Sequence, residues 1–204
     1  MKTKYYRLIQ RSHTHDFPFI GDSWHTSDSV IMGMHPSDIR DKFDKGKEVL
    51  DWPDDFSFIS SSKDTDGDLD DVVMNDLVLP VIGARLLKQI KTLKTPQFQT
   101  IPIDAISSEG KKERVFILNF TELIDCLDVP KSNVNRFPSD FSNVDLRGKI
   151  RAIWKPILIE RETCQMDLFR CKHYSDAIFC SGRFKNMFDI NSLTGVTFSP
   201  VGLV

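Results

Sequence analysis

The sequence predicts an α+β fold built from mostly antiparallel sheet with few helices, and three observations lead there. Segments with β-branched or aromatic alternation outnumber those with helical period. Only two segments show a helical period with a readable start. Both of those sit in the same strand-helix-strand setting, around residues 79–103 and 177–201.

Taken in order, Tyr5, Tyr6, Leu8 and Ile9 suggest an opening strand, whereas His13 to Pro53 is rich in turn formers and offers few regular signals. A helix begins after Gly83, with Leu86, Leu87, Ile90 and Leu93 on one face and Arg85, Lys88, Gln89 and Lys91 on the other, as a helix covering a sheet requires. Strands are expected over Phe98 to Ile103, Arg114 to Phe120, Ile150 to Ile159, Met166 to Cys171, Ala177 to Cys180 and Val196 to Val201. The second helix has Ser181 as its N-cap, carries Phe184, Met187 and Phe188 at i, i+3 and i+4, and ends before Gly195.

An offset of 98 residues aligns the two helical units without a gap, placing Arg85 on Arg183, Ile90 on Phe188, Phe98 on Val196 and Pro102 on Pro200. A cation in the first helical turn opposes the helix dipole. Arg85 and Arg183 are therefore expected to be at least partly buried, each against a buried or semi-buried carboxylate, in equivalent places of two superposable units.

The 204 residues suit a single domain, 1–204, with 27 Lys plus Arg against 29 Asp plus Glu. A net charge of −2 lacks the basic excess that binding to a phosphate backbone needs, so nucleic acid is not the expected partner. The N-terminal segment has Lys2, Lys4, Arg7 and Arg11 in place of an apolar signal core, and the apolar stretch Val72 to Leu87 is interrupted by Asn75, Asp76, Pro80 and Arg85. A cytoplasmic chain without a membrane segment is the expectation. Residues 38–76 hold 13 acidic and 5 basic side chains, a local net of −8, which leaves +6 for the remainder. Within that window residues 60–71 read as an exposed acidic loop insertion.

Trp24, Leu79-Pro-Val-Ile-Gly-Ala-Arg-Leu-Leu87, Phe116-Ile-Leu-Asn-Phe120, Ile124-Asp-Cys-Leu-Asp128, Asp167-Leu-Phe-Arg170, Ile178-Phe-Cys-Ser-Gly-Arg-Phe184 and Leu193-Thr-Gly-Val-Thr-Phe-Ser-Pro-Val201 form a series along the chain. The series resembles the "immunity protein 11" family of bacterial polymorphic-toxin systems, in which a C-terminal helix is followed by Thr-Gly-Val-x-Phe-x-Pro-Val. The resemblance implies a small cytoplasmic protein that binds and blocks a cognate antibacterial toxin. It implies no catalysis and assigns no toxin-facing residue.

The residues themselves offer other chemistry, weighed in turn. The common nucleotide-binding, zinc-protease and hydrolase signatures are missing. His13 and His15 could share a metal on one side of an extended segment, and Cys164, Cys171, His173 and Cys180 could be assembled into a zinc set, yet no C-x-x-C seeds it. Cys126, Cys171 and Cys180 are expected in the core as free thiols, with no bound zinc and no cofactor. Asp64 to Asp71 can be set in a calcium-loop register with Gly67 at position 6, but position 1 is then Ser62 and position 12 is Val73. The competing use of Asp64, Asp66, Asp68, Asp70 and Asp71 is contact with a basic toxin, since complementary charge steers association, and a merely solvated acidic loop is the commonest case for such a run. The alternative is a calcium- or metal-assisted hydrolase using that loop with His13 and His15.

Overall fold

The computed structural model describes residues 4–10, 24–26, 42–50, 52, 56–60, 69–73, 75, 79–106 and 110–204. Its centre is two sheets facing each other across a pair of helices. The larger sheet contains β2 (Trp24–Thr26), β3 (Ser57–Ser60), β4 (Val72–Val73), β5 (Val81–Gly83), β6 (Phe98–Ile106) and β7 (Lys112–Phe120), in the order β2-β3-β6-β7-β5-β4. The smaller contains β1 (Tyr5–Gln10), β11 (Leu168–Cys171), β12 (Tyr174–Ser181) and β13 (Val196–Pro200), in the order β11-β12-β1-β13. Every pairing in these two sheets is antiparallel except β3 with β6. Helix α1 (Ala84–Ile90) follows β5 and helix α2 (Gly182–Ile190) follows β12.

Period-two alternation divides the apolar side chains among three cores. Val115 and Ile117 of β7 face an outer core with Phe43, Phe58, Val81 and Ile103. Leu118 and Phe120 face the central core, where Leu86 and Ile90 of α1 meet Phe184 and Phe188 of α2. Cys180 and Leu168 join that centre from the smaller sheet, while Phe179, Phe169 and Tyr5 turn outward to a third core with Cys126, Leu127, Ile153 and Leu158.

The duplication read at an offset of 98 is present at the level of register. Ile82 and Pro102 both lie opposite Phe116 of β7, and Cys180 and Pro200 both lie opposite Tyr6 of β1. Strand β7 in the first unit thus does the work of β1 in the second: each is the central strand, antiparallel to the strand before the helix and to the strand after it. A further hairpin partner extends the likeness, for Val72 lies opposite Ile82 and Leu168 opposite Cys180. That pair is related by 96 residues rather than 98, because the connection from Val73 to Val81 is two residues shorter than that from Phe169 to Phe179.

The expected strands are observed with one division: Ile150 to Ile159 is split by Pro156, which has no N–H to give a ladder, into β9 (Ile150–Lys155) and β10 (Ile157–Leu158). The latter pairs in parallel with β14 (Gly202–Leu203). Helix α1 ends before Leu93, and Ser181 caps α2 by accepting the N–H of Phe184 at 3.3 Å. Strand β8 (Asn133–Arg136), too polar to be read from the sequence, forms a two-stranded ribbon with β9.

Candidate functional site

The residues of the sequence motifs come together where the two units meet. Asp71 stands directly before β4 and Asp167 directly before β11, and both are buried. The carbonyl of Asp71 accepts the N–H of Gly83 at 2.9 Å, and that of Asp167 accepts the N–H of Ser181 at 3.0 Å, so the two aspartates hold equivalent places at the starts of α1 and α2. Each carboxylate then reaches across to the other unit. Asp71 Oδ2 accepts the backbone N–H of Thr194, just past α2, at 3.1 Å. Asp167 Oδ2 accepts the backbone N–H of Lys94, just past α1, at 3.0 Å.

The arginines complete this reciprocal clasp from outside. Arg85 Nε lies 3.7 Å from Asp71 Oδ1, and Arg183 Nη1 lies 3.4 Å from Asp167 Oδ2. The expectation of a buried carboxylate for each is met. The expectation that the arginines are themselves buried is corrected: their side chains are 66% and 68% exposed. The long stem lets each guanidinium stay in water while it touches the rim of a carboxylate that also accepts a backbone N–H from the other unit. Burial therefore falls on the short acid.

The same clasp fixes the place of one predicted site residue. Asp71 is spent inside the fold and is not a surface contact. Asp70 is half-buried beside it. Asp64, Asp66 and Asp68 lie outside the described residues, as do His13 and His15. Among the described residues no group of three or more His, Cys, Asp or Glu side chains could hold a metal ion.

Cys126, Cys171 and Cys180 are buried free thiols, and Cys164 is exposed. Cys126 Sγ and Cys171 Sγ are 3.3 Å apart. The hydrogen bond with Cys126 and burial push the Cys171 thiol well up, and burial does the same to Cys180. Both thiols pack as small apolar side chains, Cys171 in the third core and Cys180 in the central one. His173 pairs instead with Asp125 at 3.1 Å.

A cleft of about 1070 Å³ opens beside the third core, lined among others by Tyr5, Lys94, Lys131, Glu160, Thr163 and Cys164. Its floor is fixed by the Tyr5 hydroxyl against Thr163 Oγ1 at 2.9 Å, and Lys94 Nζ donates to the Cys164 carbonyl at 2.7 Å. Cys164 and Gln165 on its wall both adopt positive φ, 52° and 57°.

The β8–β9 ribbon is a second surface feature, and sequence reading missed it. Residues 131–155 carry six basic side chains against two acidic, a net of +4, and all six are exposed. Its inner face is anchored: Ile153 is buried in the third core, Arg7 Nη1 donates to the Ile153 carbonyl at 2.7 Å, and buried Ser132 Oγ accepts the N–H of Ile157 at 2.9 Å. Its tip is ordered by a Phe137–Phe141 ring pair 4.8 Å apart, with the Arg151 guanidinium 5.8 Å from the Phe137 ring.

No helix among the described residues is long and apolar enough to cross a membrane. No curated protein matches the chain. The Immunity protein family (Imm11) matches residues 6–202, nearly the whole length, and the chain belongs to that family.

Proposed function

We propose that this chain, as a member of that immunity family, is a cytoplasmic protein that binds a cognate antibacterial toxin and neutralises it by occluding its active surface. It performs no reaction of its own and needs no cofactor; its partner is a protein rather than nucleic acid or a membrane. The observation that carries the reading is the family match over residues 6–202. The site is consistent with it, because the motif residues Asp167 and Thr194 are consumed in contacts between the two units, and Ser181 and Arg183 in holding the Asp167 carboxylate, which leaves a scaffold rather than a reactive centre. In this reading Asp64, Asp66, Asp68 and Asp70 steer a basic toxin surface toward the protein, while Asp71 stays in the clasp.

The test is protection and binding together. Cells expressing the toxin domain encoded by a neighbouring gene should survive when this chain is co-expressed, and the inactivated toxin should bind the purified protein. Replacing the four loop aspartates with Asn should slow association several-fold at low salt and leave folding unchanged. Absence of both protection and binding would overturn toxin neutralisation, and calorimetric calcium binding lost in the Asn variant would favour the metal-assisted alternative.

A further inference from the structure

Strand β9 departs from regular pairing twice. Lys155 lies opposite Asn133 and Ile153 opposite Val134, so Trp154 has no residue across from it. Ala152 lies opposite Asn135 and Ile150 opposite Arg136, so Arg151 has none either. Each is the extra residue of a β-bulge, a device that re-aims a side chain and resets which residues point inward. The reset is visible, for Ile150 and Ile153 both pack on the third core although an odd spacing would place them on opposite faces of a regular strand.

What the bulges send outward is an arginine and a tryptophan. Trp154 is 68% exposed, and Val144 in the loop of the same hairpin is also a large exposed apolar side chain. A mere solvated ribbon has no use for an indole in water, whereas Trp and Arg are the side chains that dominate binding energy at protein interfaces. The ribbon's net charge of +4, in a chain whose total is −2, says what kind of surface it fits.

We propose that the outward face of the β8–β9 ribbon, centred on Trp154 and Arg151, is a docking surface for an acidic patch on the toxin, with the indole entering an apolar pocket and the surrounding cations facing carboxylates. This rests on the toxin-neutralising reading and adds a contact of opposite charge to the acidic loop. Opposed charges at two places fix orientation as well as on-rate, since a partner turned the wrong way meets like charge at both.

The probe is the inactivated toxin domain encoded beside this chain's gene, titrated against the full-length protein and against Trp154→Ala and Arg151→Glu. Trp154 is exposed, so Trp154→Ala should match the wild-type thermal midpoint, whereas Arg151→Glu also gives up its contact with the Phe137 ring and should lower the midpoint slightly. Trp154→Ala should raise Kd about 30-fold, and Arg151→Glu on the order of 10-fold with a flatter salt dependence. Wild-type binding with both variants unchanged overturns the docking face and leaves toxin neutralisation standing; failure of the wild type to bind overturns both. A single-stranded oligonucleotide bound by wild type and released by the variants, with toxin binding intact, would reassign the ribbon to nucleic acid. A dimer dissolved by Trp154→Ala, again with toxin binding intact, would reassign it to a second copy of this chain.

Discussion

The two halves of the clasp use the same residue types to different depths. At Asp167 the carboxylate is nearly saturated: Lys94 N–H reaches Oδ2 at 3.0 Å, Ser181 Oγ donates to Oδ1 at 2.6 Å, and Arg183 touches Oδ2 at 3.4 Å. At Asp71 the Thr194 N–H comes to 3.1 Å, but the place of Ser181 is taken by Gly83, which has no side chain to offer, and Arg85 stands off at 3.7 Å. Arg85 spends its hydrogen bonding elsewhere, donating from Nη2 to the Asn191 carbonyl at 2.9 Å. The second unit thus folds its polar bonds inward around the acid, and the first uses its arginine to cover the end of its partner's helix.

A tight contact between the units is equally one-sided. Gly195 has φ +98°, and a Cβ placed there would lie 2.2 Å from the carbonyl oxygen of Val72. Its equivalent at the offset of 98, Gln97, is exposed and bonds through its backbone to Thr121 and Glu122. The largest expected effect is therefore Gly195→Ala, which should abolish soluble, cooperatively folding protein, because both the backbone conformation and the contact exclude a methyl group. Gln97→Ala should shift stability by about 0.5 kcal/mol or less. Equal thermal midpoints for the two variants would mean that the units are more alike than their contacts indicate.

Next in size comes the acid pair. Asp167→Ala leaves a buried hydroxyl and a part-buried N–H without their acceptor and should cost about 3 kcal/mol in denaturant unfolding. Asp71→Ala loses one close N–H partner and a longer ion pair and should cost about 2 kcal/mol. Restoring a Ser at the first unit's cap, Gly83→Ser, sharpens the comparison: if the missing hydroxyl explains the gap, the Asp71 site gains a donor, and Asp71→Ala in that background should cost more than in wild type. An unchanged cost would place the difference in the arginines instead.

How much of this was legible in the sequence depended on whether a signal was local. Alternation gave the six strands, and the cap at Ser181 gave α2. The 98-residue repeat was legible because it is gapless from the strand before each helix to the strand after it. Its acidic partners were hidden by a two-residue difference in the preceding hairpin connections, which puts Asp71 and Asp167 at an offset of 96. That is why Asp71 was read with the surface loop it ends, although it belongs to the interior. The direction of burial was missed for another reason: a sequence shows that Arg opposes a helix dipole, but not whether the acid or the base goes inside, and desolvation favours burying whichever charge finds backbone donors. The ribbon left little trace, since β8 reads Asn-Val-Asn-Arg and its bulges depend on pairing with a strand about 17 residues away.

The smallest effect separates the arginines themselves. Both heads are mostly in water, so an exposed ion pair contributes about 1 kcal/mol at most, and salt screens it. Among the described residues the Arg183 guanidinium bonds to Asp167 alone, so Arg183→Ala should cost about a few tenths of a kcal/mol, and that cost should vanish in about 1 M salt. Arg85 also donates to the Asn191 carbonyl, closing an end of α2 that has no basic residue in its last turn. A hydrogen bond from a guanidinium to a helix-terminal carbonyl is only partly screened, so Arg85→Ala should cost about 1 kcal/mol and keep most of that cost in salt. Lys at this position carries the charge but cannot span carboxylate and carbonyl with one planar head, and Arg85→Lys should fall between the two. If salt erased both alanine effects equally, the contact with Asn191 would be incidental and the arginines interchangeable.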